Sequence, residues 1–464
     1  MSIRAAYRRN RFIILLIGAV VVVHGVAYAH ILRNFPAIAD SEDTQYSSIA
    51  EHLVREGVYS VGARDAAGRL LPTGTQPPLY PLLYAASYRV FGIGSAAHEP
   101  MRILLMLANI GVIVVSWRIG ALFSARAANA AALFAALDGT AFYFANHYNI
   151  PDTLLGLFMS LWLLFFVRFL RGGAADRHLF LGTVFLGCAM MTKIAPFLLW
   201  VPLAVFLAAF LWRSVKLSPA AKVRMFGVFA LVIVVFFGGW KVRNAIAVGG
   251  SVFASGATTL QQNAAYLLMH QQGISRPAAR AQLAERYFPP ELIARGEVAV
   301  EREGGRAVAR VILGSPIDFA IVTLRAMPGF FFGTFPPYVL FSRATADALQ
   351  AAVQESHGNR ALLPRLWSEG RLGYIGIYAL AKLHLLLLYG AAAVAAVVFI
   401  RRREFRWILA LFLLTIAYTV AVSGAAAQAR YRTMIFPIFY VLGGYGVAYL
   451  WERYRFRRNT AIAP

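Results

Sequence analysis

RFIILLIGAVVVVHGVAYAHIL, residues 11–32, decides the fold: between Arg11 and Arg33 there is no Asp, Glu, Lys or Arg. A helix needs about 20 such residues to cross the hydrocarbon layer of a bilayer. Arg4, Arg8, Arg9 and Arg11 crowd its N-terminal flank, as in a secretory signal. The run is too long for a signal's apolar region and carries no convincing small-residue cleavage site. It reads as a retained first span.

Runs of the same kind recur near 103–122, 127–146, 153–170, 178–193, 195–212, 225–242, 374–400, 406–423 and 433–451. Over 464 residues, 59% are hydrophobic and 14% charged, with mean hydropathy +0.61. Soluble domains are about a quarter charged. The expectation is an all-α polytopic membrane protein with about ten transmembrane helices. Two further apolar stretches, 79–92 and 317–341, are rich in Pro, Gly and aromatics. They read as short re-entrant or interfacial helices. If both dip through as pairs, the number of transmembrane helices rises to twelve.

The net charge of +24 would raise the question of nucleic acid in a soluble chain. Here the cations gather between apolar runs: at the N-terminus, Arg118–Arg126, Arg168–Arg177, Arg213–Arg224, Arg401–Arg406 and Arg453–Arg458. With ten spans all these clusters fall on one side, together with both termini. The positive-inside rule makes that side cytoplasmic. The expected location is the plasma membrane, and no nucleic-acid partner is expected. The single Cys188 allows no intrachain disulfide.

Polar segments 32–78, 243–316 and 342–373 then face the opposite, extracytoplasmic side, where chemistry is expected. The chain divides into an N-terminal membrane module (1–242) with a first outer loop (32–78), a loop region (243–373) and a C-terminal membrane module with a basic tail (374–464).

The first outer loop carries Asp40, Glu42 and Asp43 just before Tyr46, where Ile49, Ala50 and Leu53 recur at helical spacing. Acids at a helix start are ordinary caps, stabilised by the helix dipole. At the edge of a bilayer they also suit a general base or a cation-binding carboxylate. Asp152, in Pro151-Asp152-Thr153-Leu154-Leu155, opens another helix. Lys193, between two apolar runs, either snorkels to the interface or meets a lipid-linked phosphate. Arg243 ends a span on the outer side, and Arg430 and Arg432 precede the last one; guanidinium groups suit forked phosphate contacts. Gln261, Gln262, Asn263 and Tyr266 suit sugar hydrogen bonding, and 274–312 reads as solvated helices. Phe330 to Tyr338 reads as an aromatic belt or a groove for an apolar chain. Asp138, inside a span, has no assignable role.

An acidic cluster after span one, Tyr46, Ile49-Ala50-x-x-Leu53, Gly57-Val58-Tyr59-Ser60 and Pro77-Pro78-Leu79-Tyr80-Pro81 together resemble the GT-C superfamily. The similarity is to the bacterial branch with protein O-mannosyltransferases and the aminoarabinose transferase of lipid A. It runs from residue 1 to about 452 and includes Trp240-x-x-Arg243-Asn244 and Arg430-Tyr431-Arg432. The resemblance implies a sugar moved from a polyprenyl-phosphate carrier to a protein, lipid or glycan acceptor, in a bacterial inner membrane. It implies catalytic acids at Asp43 or Glu42, and at Asp152. Donor contacts are implied at Arg243, Arg430, Arg432, Lys193, Tyr46 and Tyr338. Family members carry Asp four residues before the Tyr, where this chain has Glu42; the aminoarabinose branch has Lys where this chain has Gln76. No cofactor is required; Asp43 and Asp152 leave room for a divalent cation. The competing reading is a transporter or flippase of lipid-linked or amphipathic substrates. That reading predicts inverted repeats and ionisable groups at mid-membrane rather than at one rim.

Overall fold

The computed structural model describes residues 3–34, 44–94, 98–147, 150–172, 176–215, 217–250, 256–334 and 372–461. Apart from one β-bridge between Arg64 and Leu70, all regular structure among them is helical. The chain is a multi-pass membrane protein. By length and composition, 6 helices among the described residues can cross a bilayer: Asn10–Arg33, His98–Ala121, Asp152–Arg171, Pro219–Ala247, Ile375–Arg401 and Arg403–Ala426. The remaining expected spans are helical and, except for the last, shorter or broken. Residues 127–146 form two helices, Ala125–Ala136 and Gly139–His147, and the runs 178–193 and 195–212 form Asp176–Thr192 and Trp200–Arg213. The closing helix is Phe436–Ala461. Leu79–Phe91, of 13 residues, is too short to cross, in keeping with an interfacial helix.

Local chemistry sets the helix ends. Ser124, Ser218 and Ser275 each accept a hydrogen bond from the backbone N–H three residues on. Pro219 and Pro277 fall in first turns, where a missing N–H costs nothing.

The break at Leu137–Asp138 has a cause. Asp138 is buried, and its Oδ1 accepts the N–H groups of Thr140 and Ala141 at 2.8 and 3.0 Å, capping Gly139–His147. Its Oδ2 accepts the Tyr440 hydroxyl at 2.9 Å, tying the break to the closing helix. That helix also packs on Ala125–Ala136 and Leu372–Arg401 through glycines. A Cβ on Gly444 would lie 2.6 Å from Ala127 O, and one on Gly446 would fall on Ala391 O. Close backbone approach of this kind is how helices associate where lipid is as apolar as their side chains. A buried polar triad adds to it: the His24 ring lies 3.0 Å from Asn146 Oδ1 and 3.2 Å from Asn109 Nδ2.

One end of the bundle is capped. The loop 57–78 and the helices Gly256–Gln272, Arg276–Tyr287 and Glu297–Leu313 gather there. Glu297–Leu313 meets Pro316–Phe332 at 89°. It carries Glu297, Glu301, Arg302, Glu303, Arg306 and Arg310, too many charges for hydrocarbon, so it belongs to the cap.

Candidate active site

At the capped end, loops and helix termini enclose a cavity of about 390 Å³. Asp152 enters it from the first turn of Asp152–Arg171, whose Leu155 N–H closes on Pro151 O at 2.8 Å. Asp152 is 1% exposed, so its carboxylate needs a partner. Lys193 supplies one, with Nζ 2.6 Å from Oδ1 and 2.7 Å from Oδ2. Lys193 stands just past Asp176–Thr192, in a turn held by Tyr418, whose hydroxyl donates to Ala195 O at 2.8 Å and accepts Leu198 N–H at 3.0 Å.

Across the cavity, the 3-10 turn Ala429–Met434 presents Arg430 and Tyr431. The Arg430 guanidinium lies 5.1 Å from the Tyr431 ring centre and donates to its hydroxyl at 3.2 Å. Lys193 Nζ lies 5.7 Å from the same ring. One aromatic side chain thus stands beside two cations. The remaining polar walls are uncharged: Gln45 and Tyr46 at the start of Thr44–Glu56, Gln76 from the loop, and Thr258, Thr259 and Gln262 from Gly256–Gln272. Gln76 Nε2 donates to Gln45 Oε1 at 2.5 Å. Tyr46 packs edge-on against Tyr80, at the head of a column of rings continuing through Tyr84 and Tyr88.

The structure therefore brings Asp152, Lys193, Arg430 and Tyr46 to one cavity. Arg432 and Arg243 are not in it. Arg432 is fully buried, donating to the carbonyls of Phe331, Gly333 and Ala429 and to the hydroxyl of Tyr389. Those contacts occupy its guanidinium inside the protein, so it staples the Pro316–Phe332 helix end to the turn. Arg243 lies behind the loop, donating to Thr73 O at 2.6 Å with its guanidinium 4.9 Å from the Tyr59 ring. Asp43, Glu42 and Tyr338 lie outside the described residues. Gln262 faces the cavity, whereas Asn263 is used internally, accepting Ala426 N–H at 3.1 Å. Tyr431, Thr258 and Thr259 join the site without having been expected from sequence. For Tyr431 the available signal was an aromatic hydroxyl between two candidate cations.

The segment 274–312 is not simply solvated. Glu297 takes the Thr73 hydroxyl at 2.5 Å and the Gly74 N–H at 3.0 Å, and Glu301 takes the Ala257 N–H at 2.9 Å. Burial, with a smaller push from the neighbouring Glu297 charge, raises the Glu301 carboxyl to about 7. Burial also raises the Tyr59 phenol well above its ordinary value, keeping it a donor to Gln76 O at 2.9 Å.

Among the described residues no three His, Cys, Asp or Glu side chains are grouped to hold a metal ion. Both oxygens of Asp152 face the Lys193 ammonium, a poor setting for a cation.

The sequence profile of the dolichyl-phosphate-mannose-protein mannosyltransferase family matches residues 75–240. No curated protein matches in sequence. Among solved structures, the apo oligosaccharyltransferase of Archaeoglobus fulgidus superposes with TM-score 0.53 at 15% identity, covering 99% of this chain and 53% of that one. The A. fulgidus oligosaccharyltransferase AglB with an inhibitory peptide and a dolichol-phosphate gives TM-score 0.53 and 15% identity, over 100% of this chain and 53% of that one. The chain spans about half the length of that protein. ArnT of Cupriavidus metallidurans bound to undecaprenyl phosphate matches with TM-score 0.39 and 17% identity, over 94% of this chain and 77% of that one. The chain shares its fold with that oligosaccharyltransferase.

Proposed function

We propose that this chain moves a sugar from a polyprenyl-phosphate carrier to an acceptor on the extracytoplasmic side of a bacterial inner membrane. One observation carries the reading: Lys193 and Arg430 converge with Asp152 and Tyr431 on a single cavity at the capped end of the bundle. The carrier's tail lies in lipid, and its phosphate meets the two cations where the cavity borders the membrane.

The acceptor oxygen attacks the anomeric carbon as the bond from that carbon to the phosphate oxygen breaks. Polyprenyl phosphate leaves with the bonding electrons, and its developing charge falls to Lys193 and Arg430. The acceptor's proton goes to a carboxylate. Asp152 is ill placed to take it, since both of its carboxylate oxygens already accept from the Lys193 ammonium. Its part is to hold Lys193 in place. The base is assigned to Asp43 or Glu42, which immediately precede the helix bearing Gln45 and Tyr46. The uncharged walls, with Gln76, Thr258, Thr259 and Gln262, offer hydrogen bonds to a sugar ring. No cofactor enters the scheme.

The test incubates purified protein in lipid nanodiscs with a panel of polyprenyl-phosphate sugars and acceptors. Release of free polyprenyl phosphate that is lost in Asp43→Asn or Glu42→Gln, and in Arg430→Met, supports transfer. Movement of the intact carrier between leaflets without bond cleavage, read in liposomes, sinks the proposal and favours a flippase.

A further inference from the structure

Residues 73–77 are fixed from several sides. Thr73 is fully buried, and its N–H donates to Tyr59 O at 2.8 Å. Its carbonyl receives Arg243, and the Tyr59 hydroxyl donates to the carbonyls of Gln76 and Pro77 at 2.9 and 3.2 Å. Glu297 completes the hold through the Thr73 hydroxyl and the Gly74 N–H. Gln76, near the end of this stretch, lines the cavity.

The opposite wall depends on the same strut, Glu297–Leu313. Ala257 N–H is one of the first-turn donors that a helix cannot satisfy internally, and Glu301 accepts it. Thr258, Thr259 and Gln262 follow closely and line the cavity. Glycines let the strut sit close: a Cβ on Gly250 would lie 2.6 Å from Val298, and one on Gly304 2.5 Å from Phe288. Residues Val300–Gly304 are wound as a π-turn, a local irregularity frequent at functional sites.

We infer that Glu297 and Glu301 are positioning residues, a pair of carboxylates on one strut that sets the spacing between two walls of the sugar cavity. Its kinetic consequence rests on the transferase reading; the bracing itself does not. Glu297 sets where Gln76 stands, and Glu301 sets where Thr258, Thr259 and Gln262 stand. A mispositioning of about 1 Å costs up to about 100-fold in rate. The groups facing Glu301 are Glu297 on its own strut and the Ala257 N–H on the neighbouring helix.

The experiment compares wild type, Glu297→Ala, Glu297→Gln, Glu301→Ala and Glu301→Gln in nanodiscs. Hydrogen exchange is expected to quicken within 73–76 for Glu297→Ala and within 256–262 for Glu301→Ala, with the spanning helices unchanged. Transfer kinetics are expected to show kcat/KM down about tenfold or more in either alanine variant, within the range that mispositioning allows. Each glutamine variant, whose amide oxygen still accepts a hydrogen bond, is expected to recover part of the loss. Unchanged exchange in both segments overturns the bracing. Faster exchange with kcat/KM close to that of wild type overturns the positioning role. If wild type transfers no sugar from any donor, the transferase reading falls while the exchange result still judges the brace.

Discussion

Lys193 shows how much rests on single contacts. Removing it strands a buried carboxylate, and breaking a buried ion pair at one partner costs about 3–5 kcal/mol. Lys193→Met is therefore expected to lower the unfolding temperature in detergent, and Asp152→Asn in the same chain to restore much of it. Donor binding is expected to stay weak in the double variant; recovery of both would show the pair to be structural only. Arg432→Met is expected to destabilise the fold by about 1–3 kcal/mol for each buried carbonyl it leaves unpaired, without selective loss of donor affinity. Glu301 adds a pH dependence. Its folded-state pKa of about 7 stands above the ordinary value of 4.5, so its contribution to stability is complete below about 4.5 and lost as pH rises through about 7. Thermal unfolding of Glu301→Gln is expected to be flatter across that window than wild type. Equal slopes would remove Glu301 as the cause. At this scale the sequence was legible where a charge interrupts apolar surroundings, as at Asp152, Lys193 and Arg430. It could not separate Arg430 from Arg432, two residues apart, because only the 3-10 turn sends one into the cavity and the other into the core.

At the scale of elements, hydropathy located the apolar segments but not their interruptions. The run 127–146 reads as one span because Asp138 is a single charged residue among apolar ones. Its capping bonds and the Tyr440 hydroxyl are what make a break there stable. The charged cap helices read as solvated because their pattern is amphipathic, and which acids turn inward is fixed by contacts 224 residues away in sequence for Glu297 and 44 for Glu301. The helix contacts have their own test. Gly446→Ala would place a methyl group on the carbonyl oxygen of Ala391, and overpacking of this kind costs about 1–3 kcal/mol. A clear drop in thermal stability is expected, and an unchanged unfolding temperature would show that the closing helix can slide.

For the whole molecule, the positive-inside rule leads us to expect both termini and the short basic links on one face of the membrane, and the capped cavity on the other. Cys188 is the only thiol, so a Cys188→Ser background gives a direct test. A cysteine placed at Ala66, in the loop 57–78, is expected to react with a membrane-impermeant maleimide added outside intact cells. One placed at Glu404 is expected to react only after lysis. The reverse pattern would turn the molecule over. The two cations of the cavity also have a consequence for turnover. Lys193 and Arg430 are the groups that the proposed reaction sets against the carrier's phosphate. A lipid-linked sugar phosphate is a diester with a single negative charge, whereas the monoester left behind ionises further, with a second pKa of about 6. If the proposed reaction holds, the spent carrier is expected to be gripped more firmly than the loaded one, and its escape into the bilayer to govern how soon the next cycle starts. A first-turnover burst, with free polyprenyl phosphate competing against donor at concentrations below the donor's KM, is the signature to look for.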